Sequence, residues 1–405
     1  MGRSAAKFSP VMRTVLCLTN YFKGHRLLES FKKLGCRTLL VGTTRVRHDP
    51  WEASHVDEKF FVHDFDDETA LLNAITYLAR DREIDLVVPL EEYAVETASK
   101  VRAHLGLPGP GEGVTRQARD KLAMRITARA AGIPVPAFSP FVNRDALGRF
   151  LNSVPGPWMV KPRAEGGAVQ IRKLHHAEEV WKTFDELGDR RSHHLIEAFV
   201  PGQVYHVDSV VHNGKVLAAC AGQYGTPPFD VWHGGGVFSS RTVPKKSVLS
   251  KALIDMNEKI ISAIGIKQGV NHCEFLGLGD RVYFLEIGAR VAGSNLDRLT
   301  TAATGIDLFL ESARLELDWL EGGYTLAKPY RKEAGIVLCL SRDKDPSTEF
   351  CCDIPEVEWT LHHDHHAGCV VASSKSERID QLVEQIKGDL ARDHLAVMPA
   401  TDKPF

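Results

Sequence analysis

Apolar and polar positions follow two periods along this chain. In the first hundred residues, short apolar runs are separated by stretches of helical spacing. TVLCLT (14–19), RTLLVGT (37–43) and DLVVPL (85–90) read as buried strands. GHRLLESFKKLG, closed by Gly35, and ETALLNAITYLARDREI read as amphipathic helices. Buried strands joined by helices predict a parallel α/β sheet. No GxGxxG follows the first strand, so a dinucleotide site is not indicated. The turn-rich GLPGPGEGV, residues 106–114, marks a domain boundary.

Beyond that boundary the pattern changes to hairpins. TRQARDKLAMRITARAAG (115–132) and FVNRDALGRFLNSV (141–154) read as helices. PWMVKPRAEGGAVQIRKL (157–174) reads as two strands about a glycine turn, and HHLIEAFV as a strand before Pro201-Gly202. VYHVDSVVHNGKVLAACAGQY alternates on both sides of Asn213-Gly214, a strong hairpin signal. SVLSKALIDMNEKIISAIG is a helix, and GVNHCEFLGLGDRVYFLEIGAR is again two strands, turning at Gly279-Asp280. GIDLFLESARLELDWLEG is a helix. After about Leu326, the strands AGIVLCL and GCVVASS and the helix ERIDQLVEQIKGDLA suggest a small α+β segment.

Composition narrows the classes. With 405 residues, 43% hydrophobic and 25% charged, the chain suits two or three domains with buried cores. A formal net charge of -2 offers no basic field, so nucleic acid is not an expected partner. No window approaches the roughly 20 apolar residues of a membrane span, and no membrane is expected. The apolar run Val15–Leu18 is too short for a secretory signal, and the eight scattered cysteines contain no CxxC pair. Together these read as reduced thiols in a cytoplasm. Gly2 raises myristoylation, but Ala6 stands where that pattern wants Ser or Thr.

Four features carry candidate chemistry. Lys161 ends a strand just before Glu165, Gly166 and Gly167; a lysine beside a glycine loop can hold phosphate oxygens, although most such turns bind nothing. Glu197 ends an apolar strand whose following backbone could pair with a base edge, or is simply a solvated strand end. Glu274 and Glu286 fall on the two strands of one hairpin, so the carboxylates can face each other. Like charges placed so suggest a cation between them, and magnesium favours one or two carboxylates plus phosphates; the plainer reading is exposed charge at strand ends. Arg290 follows Glu286 by four residues, and its planar fork suits a phosphate or carboxylate, or an ordinary salt bridge. Asn295 lies just beyond.

Taken in order, Lys121 in RDKLAMR, Lys161 in MVKP, the glycine loop, LIEAFVPG, and CEF followed by FLEIGAR resemble the ATP-grasp carboxylate–amine ligases over roughly residues 116–321. Within that superfamily, ARVAGSN and YHVDSVV look most like the L-amino-acid ligases and carnosine-synthase-like enzymes. The resemblance implies a Rossmann-like pre-ATP-grasp domain over 1–115 and a two-lobed ATP-grasp domain over 116–325. The α+β segment over 326–405 would complete the substrate pocket.

It also implies roles. Lys121 and Lys161 would contact the ATP phosphates, Lys161 also near the adenine, under a mobile loop of Glu165, Gly166, Gly167 and Ala168. Glu197, Ala198, Phe199 and Val200 would line the adenine pocket, and His206 would approach the ribose. Glu274 and Glu286 would hold magnesium, with manganese as a substitute. Arg290 would steady the transferring phosphate or acyl phosphate, assisted by Arg241. Two positions depart from the family pattern. Val204 replaces a ribose-binding glutamate, and Gly288 replaces the asparagine of E-x-N, one metal ligand.

The expected reaction is ATP-dependent ligation through an acyl phosphate, between a small-molecule carboxylate and an amine, both expected to be amino acids. Phosphoryl transfer needs positioning and charge more than a protein nucleophile, and none is evident. Alternatives are a ligase for another acid, such as a nucleotide-precursor or cofactor intermediate, and a non-catalytic nucleotide-binding protein. Many such ligases are dimers, so a homodimer is compatible. The segment Tyr224–Ser240 is rich in glycine and aromatic residues; Trp232 and His233 are candidates to line the acceptor or acyl pocket, against an ordinary surface loop. The histidines of LHHDHHAGC (361–369) could suggest zinc, but their tight spacing favours a solvated turn before a strand.

Overall fold

Four parallel strands begin the chain: β1 (Thr14–Thr19), β2 (Arg37–Thr43), β3 (Glu58–Val62) and β4 (Leu86–Pro89), in the spatial order β3-β2-β1-β4. The structure, a computed structural model, describes residues 12–167, 169–330 and 332–397, without the side chain of Trp232. Every residue of β1 is buried, as a parallel strand covered on both faces requires. The covering helices are α1 (His25–Lys33), α2 (Glu68–Ala79) and α3 (Val95–Leu105). Leu16, Leu39, Val41, Leu71, Ile75, Val87, Ala98 and Val101 share one core. Strand β3, EKFFV, lacks a clean apolar run and escaped the sequence reading. It lies at the sheet edge, where Glu58 takes the guanidinium of Arg82 at 2.8 Å and that of Arg37.

The chain divides into two units, Met1–Thr115 with Ser312–Tyr324, and Arg116–Glu311 with Thr325–Phe405. The helix expected over 115–132 is broken. Residues Glu112–Gln117 form α4 and Lys121–Ala130 form α5. The break has a local cause: Asp120 caps α5, accepting from the backbone of Leu122 at 3.0 Å and Ala123 at 3.3 Å. Lys121 is thereby fixed in the first turn.

The second unit holds two sheets. The smaller joins β5 (Phe138–Pro140), β6 (Trp158–Pro162), β7 (Arg172–Leu174) and β8 (His194–Ala198) in the order β5-β8-β6-β7. Helices α6 (Arg144–Ser153) and α7 (Ala177–Leu187) pack on its apolar face, with Trp158, Val160 and Ile196 in the core. Alternation along the strands turns Lys161 and Glu197 the other way.

The larger sheet has eight strands. These are β9 (Gln203–His212), β10 (Lys215–Tyr224), β11 (Phe238–Thr242), β12 (Gly269–Leu278), β13 (Arg281–Gly288), β14 (Glu333–Leu340), β15 (Val357–His363) and β16 (His366–Ser373). Their order is β13-β12-β9-β10-β11-β14-β16-β15. The predicted hairpins at Asn213-Gly214 and Gly279-Asp280 are both present; Asn213 and Gly214 adopt φ of 52° and 73°, the left-handed pair such a turn requires. A short helix α8 (Pro228–Gly234) and the long α9 (Val248–Ile264) interrupt the strands. Next come α10 (Leu296–Thr304), α11 (Leu308–Glu321) and the final α12 (Ser376–Asp393).

Helix α10 packs on one face of this sheet, where Leu296 and Leu299 meet Tyr224, Ile336 and Val370. Helix α12 packs on the other, where Ile379 and Val383 meet Val337 and Val371. The α+β segment after Leu326 is present, and its three strands extend the large sheet. LHHDHHAGC spans the end of β15, an exposed turn at Asp364 and His365 with φ of 52° and 61°, and the start of β16, with its four histidines exposed and Leu361 and Ala367–Cys369 buried. All eight cysteines are free thiols. Among the described residues, no helix is long and apolar enough to cross a membrane.

Candidate active site

Strands β12 and β13 place Glu274 directly opposite Glu286. The row continues across the sheet through His206 on β9 to Gly222 on β10, so all four positions share one face. The two carboxylates keep 17% and 32% of their side-chain surface exposed. Lys121 supplies one countercharge: its Nζ lies 2.9 Å from Glu286 Oε2 and donates to the Glu165 carbonyl at 2.5 Å. The start of α5 is therefore tied to both the carboxylate strand and the glycine turn.

A second ionic cluster lies on the polar face of the small sheet. Glu197 is 1% exposed and sits between two cations, Arg125 Nη2 at 2.6 Å and Lys161 Nζ at 2.9 Å. Burial alone would raise the Glu197 pKa; Arg125 and Lys161 more than reverse that and hold it below the ordinary 4.5. Arg125 also donates to the Leu285 carbonyl, next to Glu286. Arg125 was not singled out from the sequence. The available signal was its place one helical turn after Lys121, on the same side of α5.

Behind Glu274 lies a buried polar network. Asp208 accepts from His206 Nδ1 and His272 Nδ1, each at 2.9 Å. His206 Nε2 lies 2.8 Å from Ser240 Oγ, which donates to the Gln223 carbonyl at 3.1 Å. Tyr224 donates its hydroxyl to Glu274 Oε1 at 2.8 Å, and His272 Nε2 is 3.6 Å from the same oxygen. Burial pulls the His272 pKa down, but Asp208 more than reverses it, to about 10. Asp208 is itself held well below the carboxylate range against its burial, first by His272 and then by His206. Burial also opposes ionisation of Glu274, and His272 and Tyr224 offset it, leaving its pKa below the ordinary value. Asp208, His272 and Tyr224 were likewise unmarked in the sequence reading.

Several expected site residues lie elsewhere. His206, expected near the ribose, is fully buried, with Nδ1 engaged by Asp208 and Nε2 by Ser240. Arg241 pairs with Gln223, one position out of step with the Tyr224–Ser240 pair, and therefore faces away from Glu274. It forms an ion pair with Asp380 of α12 and is not brought to the carboxylates. Arg290 folds back beside Gly288, where an added Cβ would lie 3.5 Å from its Cζ, and donates to the Val291 carbonyl at 3.0 Å. Asn295 precedes α10 in a left-handed conformation, φ 54°. His233 lies on α8, 2.9 Å from the Phe229 carbonyl. Ala168 and the side chain of Trp232 are outside the described residues.

In the strand end after Glu197, the N–H groups of Ala198 and Phe199 are taken by the carbonyls of Ala137 and Pro157. Lys173 lies 3.6 Å above the Phe199 ring. Gly167 has φ 65°, and Val169 donates to the Gly166 carbonyl at 3.4 Å, so the glycine turn closes on itself. The donor set at Glu274 and Glu286 fits magnesium: hard carboxylate oxygens on facing strands, both partly exposed.

Comparison with known proteins addresses the family and the fold. Residues 28–109 match the ATP-grasp N-terminal domain and residues 118–294 the ATP-grasp domain. The L-arginine-specific L-amino acid ligase of Bacillus subtilis is 21% identical over 281 residues, 68% of this chain and 68% of that protein. The L-amino acid ligase structure from Bacillus licheniformis aligns with TM-score 0.76 at 18% identity, covering 95% of this chain and 99% of that one. The N5-carboxyaminoimidazole ribonucleotide synthetase of Thermus thermophilus aligns with TM-score 0.72 at 20% identity, with 95% and 99% covered. Both matched domains carry the same family name and occupy consecutive stretches of the sequence, and the chain belongs to the ATP-grasp ligases.

Proposed function

We propose that this protein joins two amino acids in an ATP-dependent carboxylate–amine ligation, releasing ADP and phosphate. The observation that carries the reading is the facing of Glu274 and Glu286 with Lys121 on the second carboxylate. The amino-acid identity rests on the similarity to the B. subtilis ligase.

In the first step a substrate carboxylate oxygen attacks the γ-phosphorus of ATP, the bond to the β-phosphate oxygen breaks, and ADP leaves. In the second, the free amine attacks the acyl carbon and phosphate departs. Lys121 and Lys161 hold the phosphates, and Glu197 fixes Lys161 in place. Ala198, Phe199 and Val200 border the adenine. The turn of Glu165, Gly166, Gly167 and Ala168 closes over the phosphates and excludes water, which would otherwise hydrolyse the acyl phosphate. Arg290 turns to the transferring phosphoryl group. Glu274 and Glu286 would hold magnesium, which supplies charge neutralisation at the phosphate oxygens.

Residues 116–325, apart from Ser312–Tyr324, which group with the first unit, would then form the nucleotide and metal domain, and 326–405 would complete the substrate pocket with Trp232, His233 and Asn295. We place the reaction in the cytoplasm, where eight free thiols stay reduced. The test is phosphate release from magnesium ATP across amino acids, singly and in pairs, with mass detection of products. A product of mass equal to two amino acids less water is expected. ATP binding with no release for any pair would overturn the amino-acid assignment and direct the search to other carboxylates. Trp232→Ala should change the amino-acid profile and leave the KM for ATP unchanged.

A further inference from the structure

Glu274 is the less exposed of the two carboxylates, and its hydrogen bond from Tyr224 and its ion pair with His272 both fall on one oxygen, Oε1. A carboxylate free to swing would offer a cation either oxygen in several orientations. One held at Oε1 offers a cation a single orientation. The gripping groups are themselves gripped. His272 is fixed through Nδ1 by Asp208, and the other Asp208 oxygen is fixed by His206. His206 is stopped at its far nitrogen by Ser240, directly opposite Tyr224 in the sheet. Tyr224 closes the circuit, its ring 4.9 Å from that of His206. Gly222 lies within the circuit: a Cβ there would be 2.2 Å from His206 Nε2, so only glycine leaves space for the ring.

Resting on the metal reading of Glu274, we propose that Asp208, His206, His272 and Tyr224 are positioning residues that lock Glu274 in one orientation for magnesium. They touch neither metal nor nucleotide. Asp208 and His206 are almost wholly buried, at 1% and 0% exposure, which makes them supports for the carboxylate and not part of its open face. The cluster of His206, Asp208 and His272 has the residue types of a transition-metal site. However, each Asp208 oxygen stands at hydrogen-bond distance from one imidazole nitrogen, and Ser240 occupies the remaining nitrogen of His206. Outer partners of this kind change metal affinity by about 10- to 100-fold when removed.

The experiment is Mn2+ binding by electron paramagnetic resonance, in the presence of a non-hydrolysable ATP analogue. It is paired with the magnesium concentration for half-maximal turnover and with thermal unfolding. Tyr224→Phe and Asp208→Asn should each weaken Mn2+ binding by about tenfold or more. Their magnesium requirement should rise in parallel, and turnover should return to within a few-fold of the parent at saturating magnesium. Should Asp208→Asn fail to fold, Tyr224→Phe, which removes one hydroxyl, decides alone. Glu274→Gln separates the two layers of inference. If Glu274→Gln loses Mn2+ while a folded Tyr224→Phe binds it like the parent, the positioning role is overturned and the metal reading stands. If Glu274→Gln itself binds Mn2+ like the parent, both fall. One zinc per chain that co-purifies and is lost in Asp208→Asn would make the cluster a metal site and overturn the proposal.

Discussion

Lys121 Nζ bridges Glu286 Oε2, at 2.9 Å, and the Glu165 carbonyl, at 2.5 Å. An ammonium at this position neutralises the carboxylate that a metal would otherwise neutralise, and it holds the glycine turn beside the same strand. On the proposed function, loading the site with magnesium ATP would exchange the Lys121–Glu286 pair for contacts to phosphate and metal. Lys121→Ala should lower kcat/KM for ATP by on the order of 10- to 100-fold, the value of one charge-assisted bond. Glu286→Gln should lose more than about 100-fold, beyond the cost of losing an indirect metal partner. Steady-state kinetics checks both, with circular dichroism to confirm the fold; near-parental turnover in Glu286→Gln would remove the metal assignment.

Glu197 makes a different prediction, about stability. It neutralises two cations, and its removal leaves Arg125 and Lys161 facing each other in a buried place. Glu197→Ala should cost about 3–5 kcal/mol in urea unfolding, typical of breaking a buried ion pair from one side. The sign of the pH dependence follows from the lowered native pKa. The unfolded chain binds this proton more readily, so the stabilisation is complete above the ordinary value of 4.5 and is lost as pH falls below it. The parent's unfolding midpoint should drop on acidification below that pH, and the gap to Glu197→Ala should narrow with it. A gap that stays constant down to about pH 3, below the unfolded-state value, would show that the carboxylate charge is not what stabilises the cluster.

Much of this arrangement was legible because sheet physics has short rules. Alternation placed Glu274 and Glu286 on one hairpin, the Gly279-Asp280 turn set their register, and the structure pairs them directly. Strands β1, β2 and β4 of the first unit were legible from their unbroken apolar runs, whereas β3, mixed in polarity at the sheet edge, was not. What stayed hidden depends on contacts distant in sequence. Asp208 and His272 are 64 positions apart, and Tyr224 and Glu274 are 50 apart, so no local pattern links them. Helix α10 was missed because it starts directly after two non-glycine residues in the left-handed conformation, Ser294 and Asn295. The face that Arg241 takes was hidden because a one-residue step in a strand changes it, and only the pairing with Gln223 reveals it.

That face makes Arg241 and Arg290 separable. Arg241 is committed to Asp380 on the α12 side of the sheet, whereas Arg290 follows the carboxylate strand directly. Arg290→Ala should lower turnover by at least about 100-fold, as expected for a guanidinium that stabilises a transferring phosphoryl group. Arg241→Ala should lower it by less than about tenfold and cost no more than about 1 kcal/mol of stability, the range of a partly exposed ion pair. Single-turnover phosphate release with each variant distinguishes them. A loss in Arg241→Ala equal to that in Arg290→Ala would return Arg241 to the reacting centre.

Gly222 offers the most local test of the network behind Glu274. A glycine inside a strand marks a close approach of another group, and here that group is the His206 ring, 2.2 Å from where a Cβ would stand. Alanine at this position must displace the imidazole from Asp208 and Ser240, because the ring has no exposed side to move toward. Overpacking of this kind costs about 1–3 kcal/mol. Gly222→Ala should therefore lower the unfolding midpoint and, in the folded fraction, weaken Mn2+ binding even though no carboxylate has changed. Calorimetric unfolding and Mn2+ titration measure the two effects separately. A variant that is destabilised yet binds Mn2+ like the parent would mean that His206 supports the sheet alone and not the orientation of Glu274.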